Sequence, residues 1–212
     1  MAAFDLEEQE RVDALKDWWK QNRLFVYVAL AAFVIAVGGV LGWRYYKAAR
    51  ADQAAESFAQ FETTAEARDV KKTGAAARKL MEQYPDSPYA TQAALTAARQ
   101  SFEAGDRDAA QADLRWAVDK AKSAQMQNIA RLRLAAVLLD QKKYDEALKL
   151  LDDNKDPAFL SLTADMKGDL YAAQGKLAEA RSSYTLAIEK ALANSPSRQL
   201  MQIKLDMLGD AK

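Results

Sequence analysis

The sequence contains no cysteine and no histidine, and these two absences exclude much of the chemistry that enzymes commonly use. Without histidine there is no Ser-His-Asp or Cys-His arrangement, no imidazole acid or base at neutral pH, and no zinc site of the common kinds. The lack of cysteine fits an oxidising compartment, where a stray thiol is a hazard. We therefore predict a protein that is not an enzyme and that uses no metal or other cofactor.

The sequence also has no excess of positive or negative charge, because 30 lysines and arginines balance 30 aspartates and glutamates. No dense basic cluster is present, which argues against binding to DNA or RNA. A membrane-bound hydrolase that uses carboxylates alone stays an alternative. Its obvious adjacent pair, Asp152 and Asp153, would point about 100° apart on a helix and would rarely converge on one atom.

A long apolar run near the N-terminus carries no charge and covers residues 24–43. At about 1.5 Å per residue, a helix of this length matches the roughly 30 Å hydrocarbon core of a bilayer. Aromatic residues flank both ends, as is typical of membrane interfaces: Trp18, Trp19, Phe25, Tyr27, Trp43, Tyr45 and Tyr46. We predict a retained transmembrane helix, with a cleaved signal sequence as the alternative. Basic residues flank both ends almost equally, so charge alone does not orient the helix.

Beyond Arg44, apolar residues recur at intervals of three and four, which indicates amphipathic helices rather than strands. All four prolines, together with Gly74, Gly105 and Gly175, fall between such stripes and divide the chain into segments of helical length. The sequence therefore predicts an all-α domain over residues 44–212. An alanine-rich helical bundle without repeats is the simpler alternative.

The helical segments also repeat, because Ala110, Ala147 and Ala180 are 37 and 33 residues apart, close to the tetratricopeptide period of about 34. The clearest copy has small and aromatic residues at the positions of that repeat: Gly168, Tyr171, Gly175, Ala180, Tyr184 and Ala187. Residues 75–84 resemble the second helix of a further, degenerate copy, and the segment after Arg50 is expected to supply its first helix. The copy around Ala147 is expected to have a short second helix. Residues 197–208 are expected to form a capped terminal helix that covers the last repeat.

The whole layout resembles the YfgM family, in which a short charged leader and one N-terminal span precede a tetratricopeptide-like domain. The more specific matching stretches are YPDSPYA at 84–90, ADLRWA at 112–117, RLRLA at 131–135, KKYDEAL at 142–148 and KGDL at 167–170. The resemblance implies a cytoplasmic leader over 1–23, a span over 24–43 and a periplasmic domain over 44–212, at a bacterial inner membrane. It also implies an accessory role at the SecYEG translocon, together with the periplasmic chaperone PpiD, in assisting newly exported polypeptides. A scaffold for envelope assembly that is unrelated to Sec stays an alternative.

Stacked helix pairs form a concave channel lined mainly by the first helix of each pair. Repeat position gives nine candidates for partner binding in this channel: Gln92, Arg99, Phe102, Glu103, Leu139, Asp140, Asp165, Asp169 and Ala172. In the membrane segment, Gly38 and Gly42 are four residues apart, a spacing that lets two helices pack closely. We predict a helix contact at these glycines.

Overall fold

The computed structural model describes residues 2–209, with side chains for Glu8 and for residues 10–209. Every regular element in this range is helical, which confirms the all-α prediction. The helices in chain order are α1 (Ala2–Glu66), α2 (Val70–Gln83), α3 (Pro88–Glu103), α4 (Arg107–Lys120), α5 (Ala124–Asp140), α6 (Tyr144–Asp152), α7 (Leu160–Ala173), α8 (Leu177–Lys190) and α9 (Pro196–Met207), with a short 3₁₀ turn at Pro157–Phe159 before α7.

The chain forms two compact units, Met1–Ala51 and Asp52–Lys212. The first unit consists of one helical stretch, which belongs to α1. This stretch contains a window of 18 residues with a mean hydropathy of 2.6, none of which is buried. Among residues 2–209, α1 is the one helix that is long and apolar enough to cross a membrane.

In the second unit, each helix from α2 to α9 packs against the next one along the chain. In addition, α3 contacts α5, and α5 contacts α7, so the first helices of successive pairs lie side by side. This arrangement is the helical repeat that the period indicates. The core is rich in fully buried alanines, such as Ala93, Ala110 and Ala147, which let neighbouring helices approach closely.

Serine–proline pairs and glycines in the sequence mark several of the helix ends. Ser87 and Ser195 cap α3 and α9 by accepting hydrogen bonds from backbone N–H groups, each with a proline at the first helical position. Gly105 and Gly175 end α3 and α7 with φ angles of 86° and 74°, a conformation that glycine adopts without steric cost. The expectation that Gly74 separates two helices is wrong. The Asp69 side chain caps α2 one turn earlier, so Gly74 lies inside this helix.

The second helix of the middle pair is short, as the sequence predicts, because α6 has only nine residues. It ends near Asn154, whose side chain is buried and donates a hydrogen bond of 3.0 Å to Thr163 Oγ1 on α7. Pro157 then begins the 3₁₀ turn. A polar contact between consecutive pairs therefore replaces the small residue that the repeat pattern would place at this position.

Gly168 and Tyr184 show why the last pair needs a small residue opposite a large ring. A Cβ atom added to Gly168 on α7 would lie 2.4 Å from Cε1 of Tyr184 on α8. The Tyr184 ring is buried, and its hydroxyl donates a hydrogen bond of 2.7 Å to Asp169 Oδ1. The ring is thus fixed at both ends and has little freedom to move aside.

Asp113 is a carboxylate inside the apolar packing of α4, with 4% of its surface exposed. Its Oδ2 atom is buried and has no hydrogen-bond partner among the described residues. Burial raises the pKa of Asp113 to about 6; the positive charge of Arg78 opposes this rise, and the negative charge of Asp106 adds to it. An ionised carboxylate at this position destabilises the fold.

Candidate functional site

An open groove of about 840 Å³ lies in the second unit, between the last two turns of α1, the start of α2 and one side of α3. Arg133 of α5 also lines it. We call this surface the open groove and define it by the residues that its chemistry depends on: Phe58, Phe61, Glu62, Glu66, Leu95, Thr96, Arg99, Gln100, Glu103 and Arg133.

The floor of the open groove is apolar and partly aromatic. Phe58 stacks on Phe61 with ring centroids 5.6 Å apart, and on Tyr89 of α3 with centroids 5.1 Å apart. Phe61 and Leu95 are buried in the main core beneath the groove, whereas Phe58 is only partly buried. A floor of this kind offers contact area to an apolar side chain without disturbing the core.

The walls of the open groove carry charges of both signs. Glu62 and Glu66 lie on α1, and Arg99 and Arg133 lie on α3 and α5. Arg99 Nε is 2.7 Å from Glu103 Oε1, and this ion pair keeps the pKa of Arg99 above its ordinary value. Glu62, Glu66 and Arg133 form no ion pair with any residue in the described range, so both signs are available to a bound polypeptide.

Gln100 ties the two walls together, because its Nε2 donates a hydrogen bond of 2.9 Å to the carbonyl of Ala65 at the end of α1. Thr73 of α2 also donates to the end of α1, at the carbonyl of Thr64. The walls are therefore fixed by hydrogen bonds that do not involve a ligand. A groove that exists before binding loses less entropy when it is filled.

Six of the nine candidate binding residues fall in pairs at three different places, and the other three lie apart from these pairs. Arg99 and Glu103 lie in the open groove. Phe102 and Asp140 meet at Arg107, whose guanidinium lies 5.6 Å from the Phe102 ring centroid and pairs with the Asp140 carboxylate. Asp165 and Asp169 both contact Lys204 of α9. The remaining three are Gln92, which is exposed, and Leu139 and Ala172, which are partly buried.

The open groove also contains residues that repeat position did not indicate, namely Phe58, Phe61, Glu62 and Glu66 on α1. A signal for them exists in the sequence, because Phe58 and Phe61 are three residues apart and share one helix face. These residues lie in the first helix of the degenerate copy. No glycine or proline turn precedes this helix, which continues directly from the apolar run.

Gly38 and Gly42 lie one turn apart in the first unit, on the same side of α1. A Cβ atom added to either glycine would meet no described atom within 4 Å. Their shared face is open to a second helix. Among the side chains that the structure describes, no three acidic groups converge in a way that would hold a metal ion.

Comparison with known proteins identifies relatives along almost the entire chain. A family model described as a tetratricopeptide repeat-like domain matches residues 16–210. A protein of Neisseria gonorrhoeae named ancillary SecYEG translocon subunit is 38% identical over 97% of this chain and 99% of its own length. Proteins with the same name from Haemophilus influenzae and Escherichia coli are 31% and 26% identical, over 97% and 95% of this chain and 100% and 96% of their own lengths.

Proposed function

We propose that this chain is an accessory subunit of the SecYEG translocon, because it belongs to the YfgM family of tetratricopeptide repeat-like proteins. The observation that carries the proposal is the 38% identity over 97% of the chain to a protein with that name. The similarity includes the apolar helix as well as the repeats. The repeats offer surfaces for protein binding, and we propose a scaffold rather than an enzyme.

We further propose that residues 1–23 lie in the cytoplasm, residues 24–43 in the inner membrane and residues 44–212 in the periplasm. The chain then assists newly exported polypeptides together with a membrane-anchored periplasmic chaperone such as PpiD. Tethering supports this role energetically, because confinement to the bilayer raises the effective concentration of a weak binder near the exit of the translocon. Modest contacts are then sufficient.

The open groove is the place where we expect an exported polypeptide to bind. Its apolar floor suits a hydrophobic side chain, and its Glu62, Glu66 and Arg133 side chains provide unpaired charges on either side. The other predicted residues lie outside the open groove; of these, Phe102 is 38% exposed at the end of α3 and is proposed as a separate partner contact. The Gly38 and Gly42 face of α1 is the proposed contact with another membrane helix.

Photo-crosslinking in cells tests both contacts in one experiment. A photoreactive residue at Thr96 or Arg133 is expected to capture exported polypeptides at least about fivefold more strongly than one at Asp119. That control position is exposed on α4, a second helix, away from the groove. In the span, a probe at Gly38 is expected to capture a membrane protein, whereas a probe at Val40 lies on a different face and serves as the control. Equal capture at Thr96 and Asp119 would contradict the groove assignment, and capture of lipid alone at Gly38 would contradict the helix contact.

A further inference from the structure

The terminal helix α9 is attached to the repeats by an unusually small apolar contact. Met201 is its one buried residue in the described range, with 1% of its surface exposed. Met201 packs with Ala164 of α7 and Ala187 of α8 in a cluster that is separate from the main core. By contrast, Leu200, Ile203 and Met207 are 54%, 55% and 80% exposed. Local opening requires least free energy where few apolar contacts are lost.

Polar contacts also attach α9 to the preceding pair. Lys204 Nζ lies 2.9 Å from both carboxylate oxygens of Asp165 and 2.8 Å from Asp169 Oδ2, both on α7. Asp169 also accepts the hydrogen bond from Tyr184. In addition, Arg198 donates to the carbonyl of Ile188, and Arg181 donates to the carbonyl of Gly209 just beyond α9. The lysine is thus the central charged contact between α9 and α7.

The connection to α9 is short and exposed. It follows α8 over residues 191–195, where Leu192 is 82% exposed and Asn194 has a φ of 60°. No second helix follows α9 in the described range, which ends at residue 209. The earlier first helices α3, α5 and α7 each also pack against the second helix that follows them, whereas the contacts described for α9 are with the preceding pair.

We propose that α9 is a displaceable occupant of a helix-docking seat on the last repeat, and that a helix from a partner protein takes its place. We call this surface the terminal seat and define it by Ser161, Ala164, Asp165, Asp169 and Ala187. The partner helix carries a large apolar residue and, three residues later, a lysine, as Met201 and Lys204 do in α9. This proposal goes beyond the translocon role and does not depend on the open groove.

The charge and shape of the terminal seat determine which residues a partner helix must carry to bind there. Two adjacent carboxylates on one face of α7 are half-buried and neutralised by a single lysine, so an uncharged helix would leave them unpaired at a cost. The small residues Ala164 and Ala187 accept one unbranched apolar side chain between them. A short tether keeps α9 at an effective concentration on the order of millimolar near the seat. A partner helix with a micromolar Kd therefore binds only when α9 has opened or when the contacts of α9 with the seat are weakened.

The absence of cysteine makes a direct test possible, because an introduced pair can form only one intramolecular disulfide. Ser161 Oγ lies 3.6 Å from Met201 Sδ, so these two positions face each other across the seat. The full-length double variant S161C/M201C in detergent is designed to lock α9 onto the seat when oxidised, and loss of both free thiols in a thiol assay verifies that the disulfide has formed. The variant K204E is designed to open the seat, because a glutamate would face Asp165 and Asp169. The matched control is K190E, since Lys190 is exposed on α8 and pairs only with its neighbour Glu189.

The probe is a fluorescent peptide with the sequence of residues 195–209, and the readout is fluorescence anisotropy. K204E is expected to bind the peptide at least about tenfold more tightly than the wild type or K190E does. Oxidised S161C/M201C is expected to show no binding, and reduction of the same sample should restore it. The comparison of oxidised and reduced samples keeps the test valid if K204E fails to fold.

Three results would overturn the proposal. Equal peptide binding to the oxidised and reduced forms would show that the peptide does not use the seat. A lack of binding to both K204E and the reduced double variant would show that the seat accepts no helix other than the covalently attached one. A wild-type dimer that disappears when α9 is locked would assign the seat to a second copy of this chain instead of a partner.

Discussion

Replacing Gly168 with alanine is expected to lower the free energy of unfolding of the Asp52–Lys212 unit by about 2 kcal/mol. The added Cβ would lie 2.4 Å from the buried Tyr184 ring, so α7 and α8 must move apart or the ring must leave its position. Overpacking of this kind costs about 1–3 kcal/mol, and loss of the Tyr184 hydrogen bond adds about 1 kcal/mol. The higher helix propensity of alanine offsets about 1 kcal/mol of this cost. Urea unfolding followed by circular dichroism measures the difference.

The same substitution at Gly74 is the matched control, because this glycine also lies inside a helix. A Cβ atom there would be 3.7 Å from the nearest described atoms, the guanidinium nitrogens of Arg78, which is an ordinary van der Waals distance. We expect Gly74→Ala to leave stability unchanged or to raise it by up to about 1 kcal/mol. If both variants shifted stability in the same direction and by the same amount, close contact at Gly168 would not be the reason for its glycine.

Replacing Asp113 with asparagine is expected to raise the free energy of unfolding by about 2 kcal/mol at pH 7.5. Burial raises the pKa of Asp113 to about 6 from an ordinary value of 3.8, so the folded state binds this proton more tightly than the unfolded state does. The wild type consequently loses stability at this site as the pH rises from about 4 to about 6, and the loss is complete above that range. Asparagine has a similar shape and no charge, so the variant avoids the loss.

The pH dependence separates this cause from a general effect of the substitution. Urea unfolding at a series of pH values is expected to show a small difference between wild type and D113N near pH 4 and the full difference above pH 7. Asp119 is exposed on the same helix, and Asp119→Asn is expected to change stability by less than about 0.5 kcal/mol at any pH. A stability difference between wild type and D113N that does not vary with pH would contradict the proposed ionisation of Asp113 in the folded state.

Much of the fold follows from local signals in the sequence. Ser87-Pro88 and Ser195-Pro196 begin helices because a serine cap and a proline at the first helical position both favour a helix start. The small residue at Gly168 and the ring at Tyr184 occupy positions that the repeat pattern predicts, and the structure packs them against each other within one pair. The terminal helix expected over residues 197–208 is observed as α9 (Pro196–Met207), which packs on α8. In each case, the deciding interaction lies within one repeat.

The functional surfaces follow less directly, because they depend on contacts between distant segments. Repeat position predicts that Asp165 and Asp169 lie on the channel side of α7, but it does not indicate that Lys204, which is 39 and 35 residues later in the chain, pairs with both. The part that Phe58 and Glu62 play in the open groove is signalled only by the three-residue spacing of Phe58 and Phe61, since no glycine or proline turn marks the start of the helical segment that carries them. The prediction that Gly74 separates two helices was wrong because a glycine inside a helix gives the same sequence signal as a glycine between helices. The cap at Asp69 shows that α2 begins before Gly74 and continues through it.

The most direct test of the translocon role is affinity purification of the full-length chain from inner membranes in mild detergent, with quantification of the SecYEG subunits. We expect the full chain to recover SecYEG, and a variant that lacks residues 1–51 but keeps a folded Asp52–Lys212 unit to recover at least about tenfold less. Recovery of an envelope-assembly complex without SecYEG, or undiminished recovery of SecYEG by the untethered unit, would contradict the account.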